Sequence, residues 1–288
     1  SRTIDRKTYY NYPRAYKMID ELQPQAVIFS DGGPGCRWVG NEHGFAGATN
    51  WSFLRTGEVY PGYPKYRELQ YGHADGNQWV AAECDVSIRP GWFYHPEEDD
   101  RVKTVDELTD LYYRSVGHNA TLLLNFPVDR DGLIHPTDSA NAVNFHQNVQ
   151  KQLAHNLLAG LSPKASDERG RTFSAKAVTD GDYDTYWATN DDVISATIEF
   201  DLPQAEKINR MMLQEYIPLG QRVKSFVVEY NQAGEWIPVK LNEETTTIGY
   251  KRLLRFETIT TDKIRIRFTD SRACLCINNI EGYYAGET

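Results

Sequence analysis

A glycine-rich segment, residues 31–51 (DGGPGCRWVGNEHGFAGATNW), concentrates the side chains that could do chemistry. It brings Arg37, Trp38, Glu42 and Trp51 into one short stretch. A carboxylic acid held near aromatic rings can have its pKa raised and can then donate a proton near neutral pH. Glu42, in the turn Gly-Asn-Glu-His-Gly, is therefore a candidate general acid; the alternative is a solvated surface glutamate.

The elements around this segment alternate between helical and strand-like patterns, which favours a parallel α/β sheet. In a barrel of such units the active site lies on the loops that follow the strands, and segment 31–51 follows the first strand. Thr104 and Glu107 predict a capping box at one helix start. Three strands cannot close a barrel, so we expect upstream sequence or another chain to complete it. The predicted elements are helix 9–22, strand 26–29, strand 79–87, helix 104–116, strand 121–126 and helix 138–158.

The pattern changes after residue 160, where short alternating strands are separated by turns. This spacing is typical of a β-sandwich. The sequence thus predicts an α/β part over residues 1–160 and an all-β part over residues 161–288. The predicted strands of the second part are 196–200, 210–215, 225–230, 252–256 and 263–268.

The amino-acid composition limits the classes of function that this chain could have. The formal net charge of −9 and the pI of about 5.3 argue against a nucleic-acid partner. No apolar run is long enough to span a membrane. The four cysteines lack zinc-ligand spacing, and we expect all four to be free. The flat rings of the six tryptophans are suited to packing against sugar rings. The alternative is that they pack in the protein core.

Several long strings carry a family resemblance: LQPQAVIFSD (22–31), RWVGNEHG (37–44), ECDVSIRPGWFYHPEED (83–99) and SVGHNATLLLNFPVDRDGLI (115–134). Together they resemble glycoside hydrolase family 29, the α-L-fucosidases, and more narrowly its branch that cleaves α1,3/1,4-linked fucose. The resemblance implies the C-terminal part of a (β/α)-barrel followed by a discoidin-like, coagulation factor 5/8 type C β-sandwich. It also implies a secreted or periplasmic retaining exo-α-L-fucosidase that acts on fucosylated oligosaccharides or glycoconjugates.

The resemblance assigns the acid/base role to Glu42 and needs no cofactor for catalysis. It places the nucleophilic aspartate upstream of helix 9–22, so the N-terminal half of the same enzyme is the expected partner. Asp31 and Asp85 lie near strand ends, but neither matches that nucleophile. Trp92 is expected to pack on the fucose. Other candidates for holding this sugar or its neighbours are Arg89, Trp51, Glu83 and Arg37; for the two arginines and Glu83 the alternative is a structural ion pair.

Residues 177–187 resemble the calcium loop of discoidin-like sandwiches. Asp180, Asp182 and Thr185 could supply oxygen ligands, and Glu281 would close the site if the two ends of the sandwich meet. Calcium takes six to eight oxygen ligands. The resemblance therefore implies a structural Ca²⁺ site, with an ordinary Asp-Gly turn as the alternative.

The sequence is compatible with three hypotheses about the function of the chain. The first is a fucosidase, and the second is a non-catalytic carbohydrate-binding protein that works through its sandwich. The third is an inactive truncated fragment. An aspartate-bearing strand upstream would favour the enzyme.

Overall fold

The structure, a computed structural model, describes residues 4–286. In its first part four parallel strands form one sheet in the order β1-β2-β5-β6, and β3 and β4 form a separate antiparallel pair. The elements of this part are α1 Arg6–Tyr9, α2 Tyr12–Leu22, β1 Phe29–Ser30, β2 Cys36–Trp38, β3 Phe53–Leu54, β4 Gln78–Trp79, β5 Ala81–Ser87, α3 Val105–Ser115, β6 Ala120–Asn125 and α4 Pro136–Gln152.

Helix α3 forms as its sequence predicts. The Thr104 side chain accepts from the Glu107 backbone N–H, and the Glu107 carboxylate accepts from the Thr104 N–H at 2.7 Å. Leu108 and Leu111 are buried in a cluster with Val86 of β5. The capping box is therefore confirmed, and the apolar face of the helix packs against the parallel sheet.

The bounds of the first predicted strand, 26–29, are wrong. Only Phe29–Ser30 is extended in the sheet, and Val27 is 74% exposed. The sheet instead gains β2 from within the glycine-rich segment, so it has four strands and not three. Three residues are too few for an alternating pattern to reveal a strand, and this strand is set by its pairing with β5.

Helix boundaries also shift. The predicted helix 9–22 divides into α1 and α2, because Asn11 between them adopts the left-handed conformation, with φ of 47°. The predicted helix 138–158 begins two residues earlier, with Pro136 in its first turn, and ends at Gln152. None of the helices within residues 4–286 is long and apolar enough to cross a membrane.

The second part is antiparallel. Strands β11, β10, β12, β9, β13 and β8 are neighbours in that order, and β7 also pairs with β9. Two pairs of predicted strands merge into the long strands β9 and β12, whose pairing is interrupted by register shifts between Arg255 and Ile259 and between Thr261 and Lys263. The elements are β7 Lys164–Ala165, β8 Trp187–Ala188, β9 Ala196–Glu215, β10 Val223–Gln232, β11 Glu235–Pro238, β12 Arg252–Ser271 and β13 Cys276–Tyr283.

The predicted class, a parallel α/β part followed by an all-β part, is confirmed. The main core of the second part is buried between its strands and includes Trp187, Phe226 and Phe268. Leu158 also packs in this core, while the boundary predicted at residue 160 falls between α4 and β7. The two parts are joined by a β-bridge between His118 and Arg252.

Candidate active site

Parallel strands bring their carboxyl ends to one edge of the sheet, and the candidate residues gather there. Glu42 follows β2, and Asp85 lies in the second half of β5. Trp92 follows β5, and its loop is held by Asn125 at the end of β6, whose Nδ2 donates to the Trp92 carbonyl oxygen at 3.1 Å. Three neighbouring strands therefore position one group of side chains.

Glu42 is exposed and contacts Trp92 directly, because the indole Nε1 donates to Glu42 Oε2 at 2.9 Å. The turn around Glu42 is shaped by Asn41, whose Nδ2 donates to the Phe45 carbonyl oxygen and whose Oδ1 accepts from the His43 N–H. Gly40 has φ of 78°, and a Cβ there would lie 2.0 Å from the Tyr66 carbonyl oxygen. The carboxylate is thus presented on a turn that requires glycine.

A second tryptophan–carboxylate pair lies beside the first. Trp38 Nε1 donates to Asp85 Oδ1 at 2.8 Å. Burial raises the pKa of Asp85, and the charges of Glu42 and Glu83 raise it further, against the lowering effect of the Trp38 hydrogen bond. Asp85 therefore belongs to this carboxylate cluster. Glu83 and Asp85 are two residues apart in β5, and this spacing is a sequence signal that could have placed both on one face of the strand.

Arg37 is fully buried. Its guanidinium donates to the carbonyl oxygens of Leu69 and Val80 and to Asn50 Oδ1, at 2.9, 2.6 and 2.6 Å. Burial lowers its pKa to about 10. The sequence predicted either a sugar contact or a structural ion pair for Arg37. These contacts are neither, because the partners are neutral protein groups. The structure gives Arg37 a supporting role, and its contact with a sugar stays a prediction.

Arg89 is also buried, in an ion-pair cluster. It donates to both carboxylate oxygens of Asp138 at 2.8 Å, and its Nη1 lies 2.9 Å from Asp99. These hydrogen bonds, that of Asp138 first, raise the pKa of Arg89. The guanidinium also stacks on the Tyr94 ring at 4.6 Å. Arg89 thus anchors the loop that carries Trp92, in agreement with the structural ion pair that was the alternative to a sugar contact.

The remaining sugar-binding candidates occupy different positions. Trp51 is buried, with Arg272 of the sandwich 5.5 Å above its ring. Glu83 is half-buried, and Cys36 Sγ lies 3.7 Å from its Oε2. Burial and the Glu83 carboxylate raise the Cys36 pKa to about 11. All four cysteines are free thiols, as expected.

The predicted calcium loop is an ordered turn rich in oxygen atoms. Asp180 accepts from the Asp182 N–H and from Thr185 Oγ1, at 2.9 and 2.8 Å. The buried Asn278 places its Nδ2 3.4 Å from the Tyr183 carbonyl oxygen, while its Oδ1 has no hydrogen-bond partner in the described chain. A cation would satisfy such an orphaned oxygen.

Glu281 approaches the same loop. Burial raises the pKa of Glu281. Burial, followed by the charge of Glu281, raises the pKa of Tyr183. Within residues 4–286 no three His, Cys, Asp or Glu side chains are grouped as metal ligands, so a cation would rely on carbonyl, amide and hydroxyl oxygens as well. The donor set fits Ca²⁺ in chemical type, and the calcium site stays a prediction.

Comparison with known proteins finds a matching domain family and several related proteins. A family model, the F5/8 type C domain, matches residues 162–279. Alpha-L-fucosidase 1 of Arabidopsis thaliana is 39% identical over 257 residues, which are 86% of this chain and 49% of that protein. The chain spans about half the length of the curated relatives it matches.

Two solved structures extend the match to nearly the whole fold. One is a glycoside hydrolase 29 family member from an unknown rumen bacterium, with 36% identity and a TM-score of 0.82, covering 99% of this chain and 47% of that one. The other is a Ruminococcus gnavus GH29 fucosidase in complex with fucose, with 31% identity and a TM-score of 0.84, covering 96% and 57%.

A parallel sheet joined to an F5/8 type C sandwich is thus an architecture that this chain shares with solved structures of glycoside hydrolase family 29. The chain is similar over nearly its whole length to the C-terminal half of glycoside hydrolase family 29 members.

Proposed function

We propose that this chain is the half of a retaining exo-α-L-fucosidase that carries the general acid/base, Glu42. The observation that carries the proposal is the hydrogen bond from Trp92 to Glu42 at the carboxyl edge of the parallel sheet. The fucosidase names of the relatives support the activity. The proposed substrates are branched glycans with α1,3- or α1,4-linked fucose.

The proposed reaction uses two carboxyl groups about 5–5.5 Å apart. A nucleophilic aspartate from the upstream half attacks the anomeric carbon, and Glu42 protonates the departing glycosidic oxygen. Glu42 then takes a proton from the water that cleaves the fucosyl-enzyme ester. Trp92 is proposed to orient Glu42 through its indole N–H and to face the fucose with its ring. No step needs a cofactor.

The proposed partner is the N-terminal half of the same enzyme. Strands β1 and β6 each have one neighbour among the described strands, and edges of this kind invite further pairing. Apolar residues near these edges are open, since Leu123 of β6 is 48% exposed and Val27 is 74% exposed. A pocket of about 830 Å³ with a mainly apolar lining lies between β6, α4 and the sandwich. Barrel strands and helices would cover these surfaces. A secreted or periplasmic location and a structural Ca²⁺ are part of the same proposal.

The test is fucose release by the protein with its upstream half present. A branched 3-fucosylated trisaccharide should be hydrolysed, and linear 2′-fucosyllactose should not. Glu42→Gln should reduce hydrolysis of the glycan by about 10²–10⁴-fold, the range for a lost general acid. An aryl fucoside with a good leaving group should lose less, because it needs little proton donation. Equal losses on both substrates would show that Glu42 is not the general acid/base. If the parent protein released fucose from neither glycan, the chain would instead be a carbohydrate-binding protein or an inactive fragment.

A further inference from the structure

The segment that follows Glu42 leaves the α/β part and lies against the sandwich. The Asn50 N–H donates to Thr247 Oγ1 at 2.7 Å, and the hydroxyls of Thr49 and Thr246 lie 2.7 Å apart. The carbonyl oxygen of Ala48 accepts from Arg252 Nη1. These partners are about 200 positions apart in the chain, so the contacts exist only when both parts are folded together.

Gln221 continues the same set of contacts. Its Oε1 accepts from the Ser52 N–H at 2.8 Å, and its Nε2 donates to the Asn50 carbonyl oxygen at 2.8 Å. The side chain is 2% exposed. Both polar ends of this buried amide therefore form hydrogen bonds with the backbone of one neighbouring segment. These bonds fix the position of that backbone.

The contacts reach the chain on both sides of Glu42. The Asn50 side chain accepts from Arg37 of β2, the strand that leads into the Glu42 turn. On the other side, the carbonyl oxygen of Ala46 accepts from His118 Nδ1 at 3.0 Å, and His118 Nε2 lies 2.7 Å from Glu243 of the sandwich. A bonded path thus runs from the sandwich to residues four and five positions from the carboxylate.

The Glu42 turn itself has little regular structure to hold it. The stretch between β2 and β3 contains three glycines, at 40, 44 and 47, and no strand or helix within it. Glycine gives the backbone the most freedom to lose on ordering, so contacts from outside the turn must supply its order. A displacement of about 1 Å at a reacting group can cost 10²-fold in rate.

We propose that four sandwich residues, Gln221, Thr246, Thr247 and Arg252, position the Glu42 loop for proton donation. These four are the clamp residues. The inference rests on the proposed acid/base role of Glu42, and it makes the F5/8 type C domain a required part of that site. The clamp residues touch neither substrate nor reacting atoms, so they are positioning residues and not catalytic ones.

The test compares Thr247→Val with Thr247→Ser and Thr245→Val in the protein with its upstream half present. Valine keeps the shape of threonine but removes the acceptor for the Asn50 N–H, whereas serine retains it. Thr245 is the matched control, because in its described hydrogen bond its carbonyl oxygen accepts from the Phe226 N–H within the sandwich. Thermal midpoint, kcat and KM are measured on the branched trisaccharide and on an activated aryl fucoside.

Thr247→Val should lower kcat on the glycan about tenfold or more and kcat on the aryl fucoside by less than about threefold, because the second substrate needs little proton donation. Thr247→Ser and Thr245→Val should match the parent. Equal losses on both substrates, or no loss on either, would overturn the proposal. If Thr247→Val does not fold, Gln221→Leu and Thr246→Val are measured with the same expectation.

Glu42→Gln, assayed in parallel, separates the two proposals. If it shows the glycan-selective loss and neither Thr247→Val nor Gln221→Leu does, the clamp is overturned and the acid/base role stands. If Glu42→Gln itself lacks the selective loss, the acid/base role fails, and the clamp proposal fails with it.

Discussion

The indole Nε1 of Trp92 lies 2.9 Å from Oε2 of Glu42, although the two residues are 50 positions apart. The pair joins the loop after β2 to the loop after β5. Because the carboxylate is exposed and the indole is half-buried, Trp92 is the more firmly placed partner. It can therefore orient the carboxylate.

Trp92→Phe should remove this orientation while keeping an aromatic ring. We expect kcat/KM for the branched glycan to fall about tenfold, since a hydrogen bond to a charged group contributes about 1.5–3 kcal/mol. Steady-state kinetics on the protein with its upstream half present would measure the effect. Phe93→Leu, at a neighbouring residue that is 78% exposed, is the control. A Trp92→Phe variant as active as the parent would contradict the orienting role.

Arg89→Met should destabilise the fold, because it leaves the buried Asp138 carboxylate without its partner. Breaking a buried ion pair by removing one member costs about 3–5 kcal/mol. Urea unfolding of the purified protein would measure this loss. Arg101→Met is the matched control, since its ion pair with Glu98 is largely solvated on the arginine side and should contribute under about 1 kcal/mol. Similar costs for both variants would show that Arg89 is not the anchor of its loop.

Glu215 should make stability depend on pH. Its carboxylate accepts from the N–H groups of Arg222, Val223 and Gly249 at 2.6, 2.8 and 2.6 Å. Burial nevertheless raises its pKa from 4.5 to about 7. Between these two pH values the folded protein holds a proton that the unfolded chain has released, so raising the pH favours unfolding. The contribution is complete below pH 4.5 and is lost as the pH rises through 7.

Glu215→Gln should abolish this slope, because glutamine stays neutral. The variant should also be less stable at low pH by about 1–3 kcal/mol, since its amide NH₂ opposes one backbone donor. Thermal midpoints of parent and variant between pH 4.5 and 7 give the difference. Glu235→Gln, at the exposed first residue of β11, is the control. A parent and a Glu215→Gln variant with parallel profiles would refute the assignment.

Calcium should stabilise the sandwich if the 180–185 loop binds it. Adding 100-fold excess over Kd should contribute about 2.7 kcal/mol, and EDTA should remove this gain. Asp180→Asn should reduce the response, because it removes one carboxylate charge from the loop. Asp262→Asn, at an exposed residue elsewhere in the sandwich, should respond like the parent. Identical thermal midpoints in Ca²⁺ and EDTA would favour the ordinary turn.

Local signals predicted local structure well. Thr104 and Glu107 are three residues apart, and the capping box that they predict is formed by contacts within that turn. Strand lengths were harder to predict. The sequence divides 196–215 at a polar stretch, but pairing with β12 keeps it extended as β9 with a break in register. Extension depends on the neighbouring strand, and a single strand's sequence does not contain that neighbour.

The sequence by itself determined the order of the two parts, the α3 cap and a glycine-rich turn that presents Glu42. Tertiary structure decided what each charged side chain does. Arg37 and Arg89 look alike as candidates, yet one meets neutral oxygens and the other meets Asp138, 49 positions away. The clamp residues carried no sequence signal at all, because Thr247 and Asn50 meet across 197 positions. Hydrogen bonds within a turn are encoded by adjacent residues, whereas partners in a buried network are chosen by how the two parts pack.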